Sequence, residues 1–152
     1  MDALDKKILE QLQINAKASM SSIAEKVGLS EPACYRRVRQ LRSSGVIEKE
    51  MAIVKPKTMG WPLSMLVMIT FERDHSAIIN SFLARVNKEP EVLDSWCVTG
   101  DHDVVLQILS TDMEAFDDFA NRVLHKDDSV KYFRTLVVLK HAKANSPIPP
   151  AE

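Results

Sequence analysis

The chain has 152 residues, of which 45% are apolar and 27% charged, and its formal net charge is −1. This length and apolar content allow one or two globular domains with their own cores, and the longest apolar run, residues 63–71, is too short to span a bilayer. The charge is divided unevenly, because residues 1–57 carry 11 Lys+Arg against 7 Asp+Glu and residues 58–152 carry 9 against 14. A basic first part and an acidic second part indicate that only the first meets a polyanion.

Residues 1–55 predict three helices followed by a two-stranded wing. The first helix spans about residues 2–15, and the second begins near residue 21 and ends at Gly28, which can adopt a left-handed C-cap. Ser30 is suited to cap the third helix, which carries Pro32 in its first turn and ends at the Ser-Ser-Gly of residues 43–45. Residues 46–54 form two short strand-like runs. The pattern is that of a winged helix-turn-helix domain.

The third helix has a cationic outer face. Cys34, Val38 and Leu41 recur at helical spacing and are predicted to face inward, which turns Arg36 and Arg39 outward. Such a helix suits the DNA major groove, although a helical hairpin with merely solvated arginines is the alternative. We predict base contacts from Arg36, Arg39 and Gln40, and phosphate contacts mainly from Arg37, Arg42 and Lys49. The whole predicted DNA-binding set is Ser30, Pro32, Tyr35, Arg36, Arg37, Arg39, Gln40, Arg42 and Lys49.

Residues 56–62 are predicted to be a hinge, and residues 63–141 a second domain. Strands are expected at residues 63–71, 92–99, 104–109 and 130–139, and helices at residues 76–87 and 111–124, the latter capped by Thr111. The order βαββαβ is that of a ferredoxin-like unit, one antiparallel sheet with two helices on one face, so the fold class is α+β. The strands are apolar on both faces, which predicts a dimer formed by sheet-to-sheet packing. The proline-containing tail, residues 142–152, is predicted to be mobile.

This arrangement resembles the leucine-responsive regulator/AsnC (Lrp/AsnC) family of transcription regulators. The resemblance covers residues 4–143 and rests on Leu4-Asp5-Lys6-Lys7-Ile8-Leu9, Ile23-Ala24-Glu25-Lys26-Val27-Gly28-Leu29-Ser30, Arg37-Val38-Arg39-Gln40-Leu41, Gly45-Val46-Ile47 and Val98-Thr99-Gly100-Asp101-His102-Asp103. It implies that the second domain is the family's RAM (ACT-like) domain and forms dimers. It further implies assembly into octamers or similar rings, promoter DNA as partner, and a small amino acid bound between subunits.

The loop at Gly100 carries the effector hypothesis. Backbone amides near Gly100 would hold an α-carboxylate, and Asp101 or Asp103 would pair with an α-ammonium group. Val104 stands where the family often has an aromatic residue, and Thr135 matches a threonine that the family places near the same pocket. The alternative is an ordinary polar hairpin turn. The predicted effector set is Val98, Thr99, Gly100, Asp101, His102, Asp103, Val104 and Thr135, and apolar strand residues favour leucine or methionine as effector.

The sequence shows no catalytic constellation, phosphate-cradling glycine loop or Cys-x-x-Cys pair. Its four histidines are scattered, so we expect neither a metal site nor a cofactor other than the amino-acid effector. Cys34 and Cys97 are expected to be free thiols in the two cores, and the absence of a secretory leader indicates a soluble cytoplasmic protein. We predict a transcription regulator rather than an enzyme. The alternatives are a haem-biosynthesis decarboxylase on the same scaffold and a metabolite sensor without DNA binding.

Overall fold

The computed structural model describes residues 1–72 and 76–151, and it divides into two compact units. One unit contains Met1–Ile53 together with the chain from Ala142 onward, and the other contains Val54–His141. The first holds the predicted DNA-binding residues and the second the predicted effector loop. The predicted domain boundaries and the mobility of the tail stay predictions, although Ile148 in the tail makes hydrogen bonds within the first unit.

Three helices form the first unit: α1 (Ala3–Ile14), α2 (Met20–Val27) and α3 (Glu31–Ser43). Asp2 and Asp5 form a capping box at the start of α1, since each carboxylate accepts a hydrogen bond from the other residue's backbone N–H at 2.9 Å. Gly28 ends α2 in the left-handed conformation with φ 74° and ψ 39°. The core of this unit consists of Ile8, Leu12, Ile23, Ala24, Val27, Cys34, Val38 and Leu41. The helix-turn-helix and its inward face are therefore as predicted.

One local prediction for this unit is wrong. Residues 46–54 form no strand in the described chain, so the wing is absent as a two-stranded ribbon. Charged Glu48, Lys49 and Glu50 separate the two runs without a turn residue, and an isolated two-stranded hairpin is marginal in water. Ser30 occupies the N-cap position of α3 as predicted, without a capping hydrogen bond from its side chain.

The second unit has the predicted βαββαβ order. A short 3₁₀ turn (Pro56–Met59) lies within the predicted hinge and precedes β1 (Leu63–Phe71), α4 (Ser76–Val86), β2 (Val92–Cys97), β3 (Val104–Ser110), α5 (Met113–Phe119) and β4 (Val130–Val137). The four strands form one antiparallel sheet in the order β2-β3-β1-β4. Helix α5 continues as a π-helical turn over Ala120–His125. Asp112, not Thr111, caps α5, because its carboxylate accepts from the Ala115 N–H at 2.8 Å.

The helices cover one face of this sheet. Met65, Val67 and Ile69 of β1 are fully buried there against residues of α4 and α5 such as Phe82 and Phe119. The opposite face keeps apolar residues partly accessible, and Leu136 of β4 is 47% exposed. Cys97 is exposed, contrary to the prediction, because it ends the edge strand β2, where no further strand covers it. Cys34 is buried and free as predicted.

Candidate functional site

Helix α3 presents a polar outer face to solvent. Cys34 and Val38 are fully buried on its inner face, whereas Arg36, Arg39 and Gln40 are exposed on the other. Within the described residues, neither Arg36 nor Arg39 forms an ion pair with a carboxylate. Tyr35 is 57% exposed beside them. The helix therefore carries two uncompensated guanidinium groups and a neighbouring carboxamide on one accessible surface.

Arg37 is oriented differently from its neighbours. Its Nη1 atom lies 2.8 Å from Asp2 Oδ2 and 2.8 Å from Asp5 Oδ1 at the start of α1. The Asp5 hydrogen bond, and then that of Asp2, raises the pKa of Arg37, and the contact also lowers the pKa of Asp2, which its hydrogen bond from the Asp5 N–H already depresses. Arg37 thus ties α3 to α1, and the phosphate contact predicted for it stays a prediction. Local sequence patterns do not reveal this contact, because it joins residues more than thirty positions apart in the chain.

The remaining predicted DNA-binding residues lie on the surface of the same unit. Arg42 donates to Glu50 Oε1 from Nη2 at 2.8 Å and from Nε at 3.3 Å, so its charge is partly compensated. Ser30, Pro32 and Lys49 are exposed.

The loop between β2 and β3 is a tightly hydrogen-bonded hairpin. The Val98 N–H donates to the Asp103 carbonyl at 3.0 Å, and the Asp103 N–H donates to the Ile69 carbonyl at 2.9 Å. The Asp103 carboxylate accepts from the Phe71 N–H at 2.8 Å, which commits one of its oxygens to joining the loop to β1. Asp101 is exposed and Gly100 has φ 119°, a conformation open to glycine. Of the two aspartates, Asp101 is the more available to a ligand.

Two further residues, on β1 and β4, contact this loop, and the sequence analysis missed both. Thr70 Oγ1 donates to the Asp101 carbonyl at 3.1 Å and lies 3.1 Å from His102 Nδ1. Tyr132 is opposite Thr70 in the sheet register, and its ring meets that of His102 edge-on at 6.0 Å between centroids. Alternation along β1 puts Thr70 on the face away from the helices, which was a usable signal, but the pairing of β4 with β1 was needed to find Tyr132.

The structure does not gather the whole predicted effector set in one place. The Val104 side chain is fully buried in the core, so it cannot line an accessible pocket at the loop. Thr135 is opposite Val67, whose side chain is on the helix-covered face, so Thr135 does not share the face of Thr70 and His102. Val98 and Thr99 are exposed beside the loop. Within one chain, the exposed part of the set is therefore residues 98–101, whereas His102, Asp103 and Thr135 are half-buried.

Within residues 1–72 and 76–151, no group of three or more His, Cys, Asp or Glu side chains is placed to hold a metal ion, and His75 lies outside these described residues. No helix in these ranges combines the length and apolar character that a membrane span needs. Burial, and then the nearby Glu31 carboxylate, raises the pKa of the Cys34 thiol, which keeps it protonated and unreactive at neutral pH.

Comparisons with known proteins match both units. The AsnC-type helix-turn-helix domain matches residues 1–42, and the Lrp/AsnC ligand binding domain matches residues 64–148. An HTH-type transcriptional regulator of Sinorhizobium fredii, y4tD, is 38% identical over 149 residues, which are 98% of this chain and 88% of that protein. The leucine-responsive regulatory protein of Rhizobium meliloti is 33% identical over 143 residues, 94% of this chain and 92% of that protein. The structure of the Neisseria meningitidis transcriptional regulator NMB0573 in complex with L-Met has a TM-score of 0.89 and 32% identity, and the match covers 98% of this chain and 96% of that one.

Proposed function

Because the chain belongs to the Lrp/AsnC family of transcriptional regulators, we propose that α3 binds duplex DNA and that a small amino acid, bound at the Gly100 loop, changes this binding. The family consists of transcription regulators and not enzymes, which removes the decarboxylase alternative. The observation that carries the proposal is the accessible face of α3, where Arg36 and Arg39 have no carboxylate partner among the described residues.

On DNA, α3 would occupy the major groove with Arg36, Arg39 and Gln40 at base edges. Arginine pairs with guanine through two parallel hydrogen bonds, and glutamine pairs in the same way with adenine. Lys49 and Arg42 would contact phosphates, the latter after exchanging Glu50 for the DNA backbone. Tyr35, Ser30 and Pro32 would lie at the edge of this contact. Arg37 is assigned a structural role instead, since Asp2 and Asp5 already bind its guanidinium group.

The effector would bind at the exposed part of the hairpin loop, residues 98–101, beside the half-buried His102. Asp101 offers an exposed carboxylate for an α-ammonium group, while Gly100 leaves space for a carboxylate to approach the backbone, since nothing lies within 4 Å of the position of its missing side chain. His102 and Thr70 would supply polar contacts. The L-Met complex of the Neisseria relative supports an amino acid as the class of ligand, with methionine or leucine as the first candidates. In a site between two subunits, the second copy of the chain would supply the ligand contacts that Thr135 of the first copy does not make.

Assembly would proceed through the sheet face that the helices leave open. Trp96, Val105, Met68 and Arg134 form one row across this face, and Trp96 is 44% exposed. A second copy packed on the face would remove this apolar surface from water. We propose a homodimer built in this way that assembles further, to an octamer as the family resemblance implies, in the cytoplasm.

The experiment that tests the function is duplex binding measured with the DNA upstream of this protein's own gene. Binding is measured at about 50 and about 200 mM salt, because phosphate contacts make affinity fall steeply between these concentrations. Each titration is repeated with L-methionine, with L-leucine and with a mixture of the twenty amino acids. We expect tight, salt-dependent binding that one of these additions shifts. Duplex binding that no amino acid changes would refute the proposed response to an effector. The absence of duplex binding under every condition would refute the proposed function as a DNA-binding regulator.

Asp101→Ala tests the loop directly. We expect this variant to retain basal DNA affinity and to lose the amino-acid response, because the α-ammonium partner is gone. Asp118→Ala is the matched control, since it removes the same charge from an exposed position on α5, away from the loop. A retained response in Asp101→Ala would contradict the assignment.

A further inference from the structure

The open face of the sheet carries two charges of opposite sign at opposite edges. Beside the row that ends in Arg134 lies a second row, which crosses the same four strands from β2 to β4. Its members are Asp94, Gln107, Leu66 and Leu136. Asp94 is the acid and Arg134 the base of these two rows, and their other members are uncharged. One edge of the face is therefore negative and the other positive.

Neither charge is neutralised within its own chain. Asp94 and Arg134 are both exposed, and no ion pair among the described residues contains either of them. Their strands β2 and β4 are the two edges of the sheet, so the side chains are separated by three strand spacings, about 14 Å. Burial of this face by a binding partner would take both charges out of water. Each charge then needs a counter-charge from that partner, because an unpaired buried charge strongly destabilises a complex.

A second copy of the chain supplies both counter-charges in one orientation. In a two-fold dimer, each contact between two different residues occurs twice, once in each direction. Two stacked sheets keep their strands nearly aligned, and a two-fold axis parallel to the strands puts β4 of each copy over β2 of the other. Arg134 then faces the partner's Trp96 and Asp94, which lie two residues apart on the same face of β2. An axis perpendicular to the strands puts β4 over β4 instead and brings two copies of Arg134 together, which is unfavourable.

Trp96 makes the same edge of the sheet a suitable surface for arginine. Its side chain is 44% exposed and belongs to the row of Arg134, so both lie at the same level along the strands. A guanidinium group stacks on the face of an indole ring and still donates hydrogen bonds to a carboxylate in its own plane. Trp96 and Asp94 together therefore match both binding modes of an arginine side chain.

We propose that Arg134 of each copy binds Asp94 and Trp96 of the other copy, and that this doubled contact selects the dimer in which β4 lies over β2. The proposal rests on the homodimer proposed above and adds the side chains that orient it. Apolar burial alone permits several orientations, because it is non-directional. The charges favour one of them and penalise the orientation that brings like charges together.

Two charge reversals test this contact in the full-length chain. Arg134→Glu and Asp94→Arg each bring like charges together twice in their own homodimer. We therefore expect the dimer dissociation constant of each variant, measured by sedimentation velocity over a dilution series, to rise about 10-fold or more. A heterodimer of the two variants contains two pairs of opposite charges again.

Native mass spectrometry of an equimolar mixture of the two variants counts the three dimers by their masses. An about 10-fold penalty on each homodimer predicts about 90% heterodimer, against about half for chains that pair without preference. Recovery of the heterodimer also shows that both variants fold, which the exposure of Asp94 and Arg134 leads us to expect.

Asp118→Arg is the matched control. It makes the same charge change as Asp94→Arg at an exposed position of α5, on the side of the sheet that the helices cover. We expect this variant to keep the dissociation constant of the unaltered chain and to mix with that chain without preference.

Three results would overturn the inference. They are dissociation constants that neither reversal changes, a mixture without an excess of heterodimer, and preferential pairing of Arg134→Glu with the unaltered chain, which would indicate β4 over β4. An unaltered chain that still dimerises would show in these cases that the contact fails and the sheet dimer stands. An unaltered chain that sediments as a monomer would refute both.

Discussion

Arg36 and Arg37 are adjacent in the sequence but are predicted to affect DNA binding in different ways. Arg36 is exposed on the outer face of α3, whereas Arg37 is bound by Asp2 and Asp5 of α1. Replacement of either by alanine removes one positive charge from the same helix. A difference between the two variants therefore reports contact geometry and not net charge.

The expected difference can be stated as a salt dependence. Each phosphate contact contributes about 0.9 to the steepness of the fall of log affinity with log salt concentration. Each contact therefore accounts for an about 3.5-fold loss of affinity between about 50 and about 200 mM salt. If Arg36 contacts phosphate, Arg36→Ala lowers the slope by that amount. If it contacts a base, the loss is about 1–3 kcal/mol and confined to duplexes that carry the matching base. Arg37→Ala should leave the slope unchanged and lower the thermal midpoint of the chain, because two carboxylates lose their partner.

Fluorescence polarisation with labelled duplexes at several salt concentrations measures the slope for both variants. The slope is a safe comparison even if Arg37→Ala reduces the folded fraction, because an inactive fraction shifts all apparent affinities equally. Arg39→Ala should behave as Arg36→Ala does, since both side chains are exposed on the same face. A slope loss in Arg37→Ala equal to that in Arg36→Ala would refute the structural role of Arg37. Unchanged duplex affinity in both Arg36→Ala and Arg39→Ala would refute the proposal that this face of α3 binds DNA.

Three other outcomes are expected. Glu50→Gln releases Arg42 from its 2.8 Å ion pair and should raise duplex affinity and increase the salt slope by up to about 0.9, so an unchanged slope argues against a phosphate contact. Leu136→Asp puts a charge on the open sheet face and should dissociate dimers in sedimentation experiments, and an unaltered mass would contradict packing through that face. Burial favours the neutral form of Asp127, but hydrogen bonds from Ser129 and the ion pair with Arg85 outweigh it and lower the pKa of Asp127 below 3.8. The charged Asp127 therefore stabilises the folded chain above pH 3.8, and this stabilisation is lost as the pH falls through the lowered pKa. Ser129→Ala should therefore shift acid unfolding, followed by circular dichroism, to higher pH, and identical acid midpoints would count against this.

Periodicity was sufficient for most of the fold. The spacing of Cys34, Val38 and Leu41 predicts the inward face of α3, and all three are buried. The apolar run of residues 63–71 coincides with β1, because a strand buried on its helix side needs apolar residues at every second position. Gly28 marks the end of α2, since a left-handed C-cap favours glycine. The element order then identified the fold class, and together with the sequence motifs it carried the resemblance to the family.

The candidate sites were only partly predictable. The exposure of Arg36 and Arg39 follows from helical geometry alone, and the loop at Gly100 follows from its break between two strands. The identity of the side chains around that loop does not follow from the sequence, because strand pairing between distant parts of the chain brings Thr70 and Tyr132 to the loop. The burial of Val104 likewise depends on which face of β3 the helices cover.

The sequence by itself determined most of the secondary structure, apart from the wing, together with the order of the units and the cationic face of α3, because these depend on residue types within a few positions of one another. Tertiary structure decided which charges remain available. Arg37 and Arg39 are the same residue type and lie two positions apart, yet among the described residues only Arg37 of the two contacts carboxylates, which come from the start of α1. Tertiary structure also brought Ile148 to Gln13 across 135 residues of chain. Such contacts depend on how helices and segments pack, and local propensity does not encode the partner of a side chain that reaches across the fold.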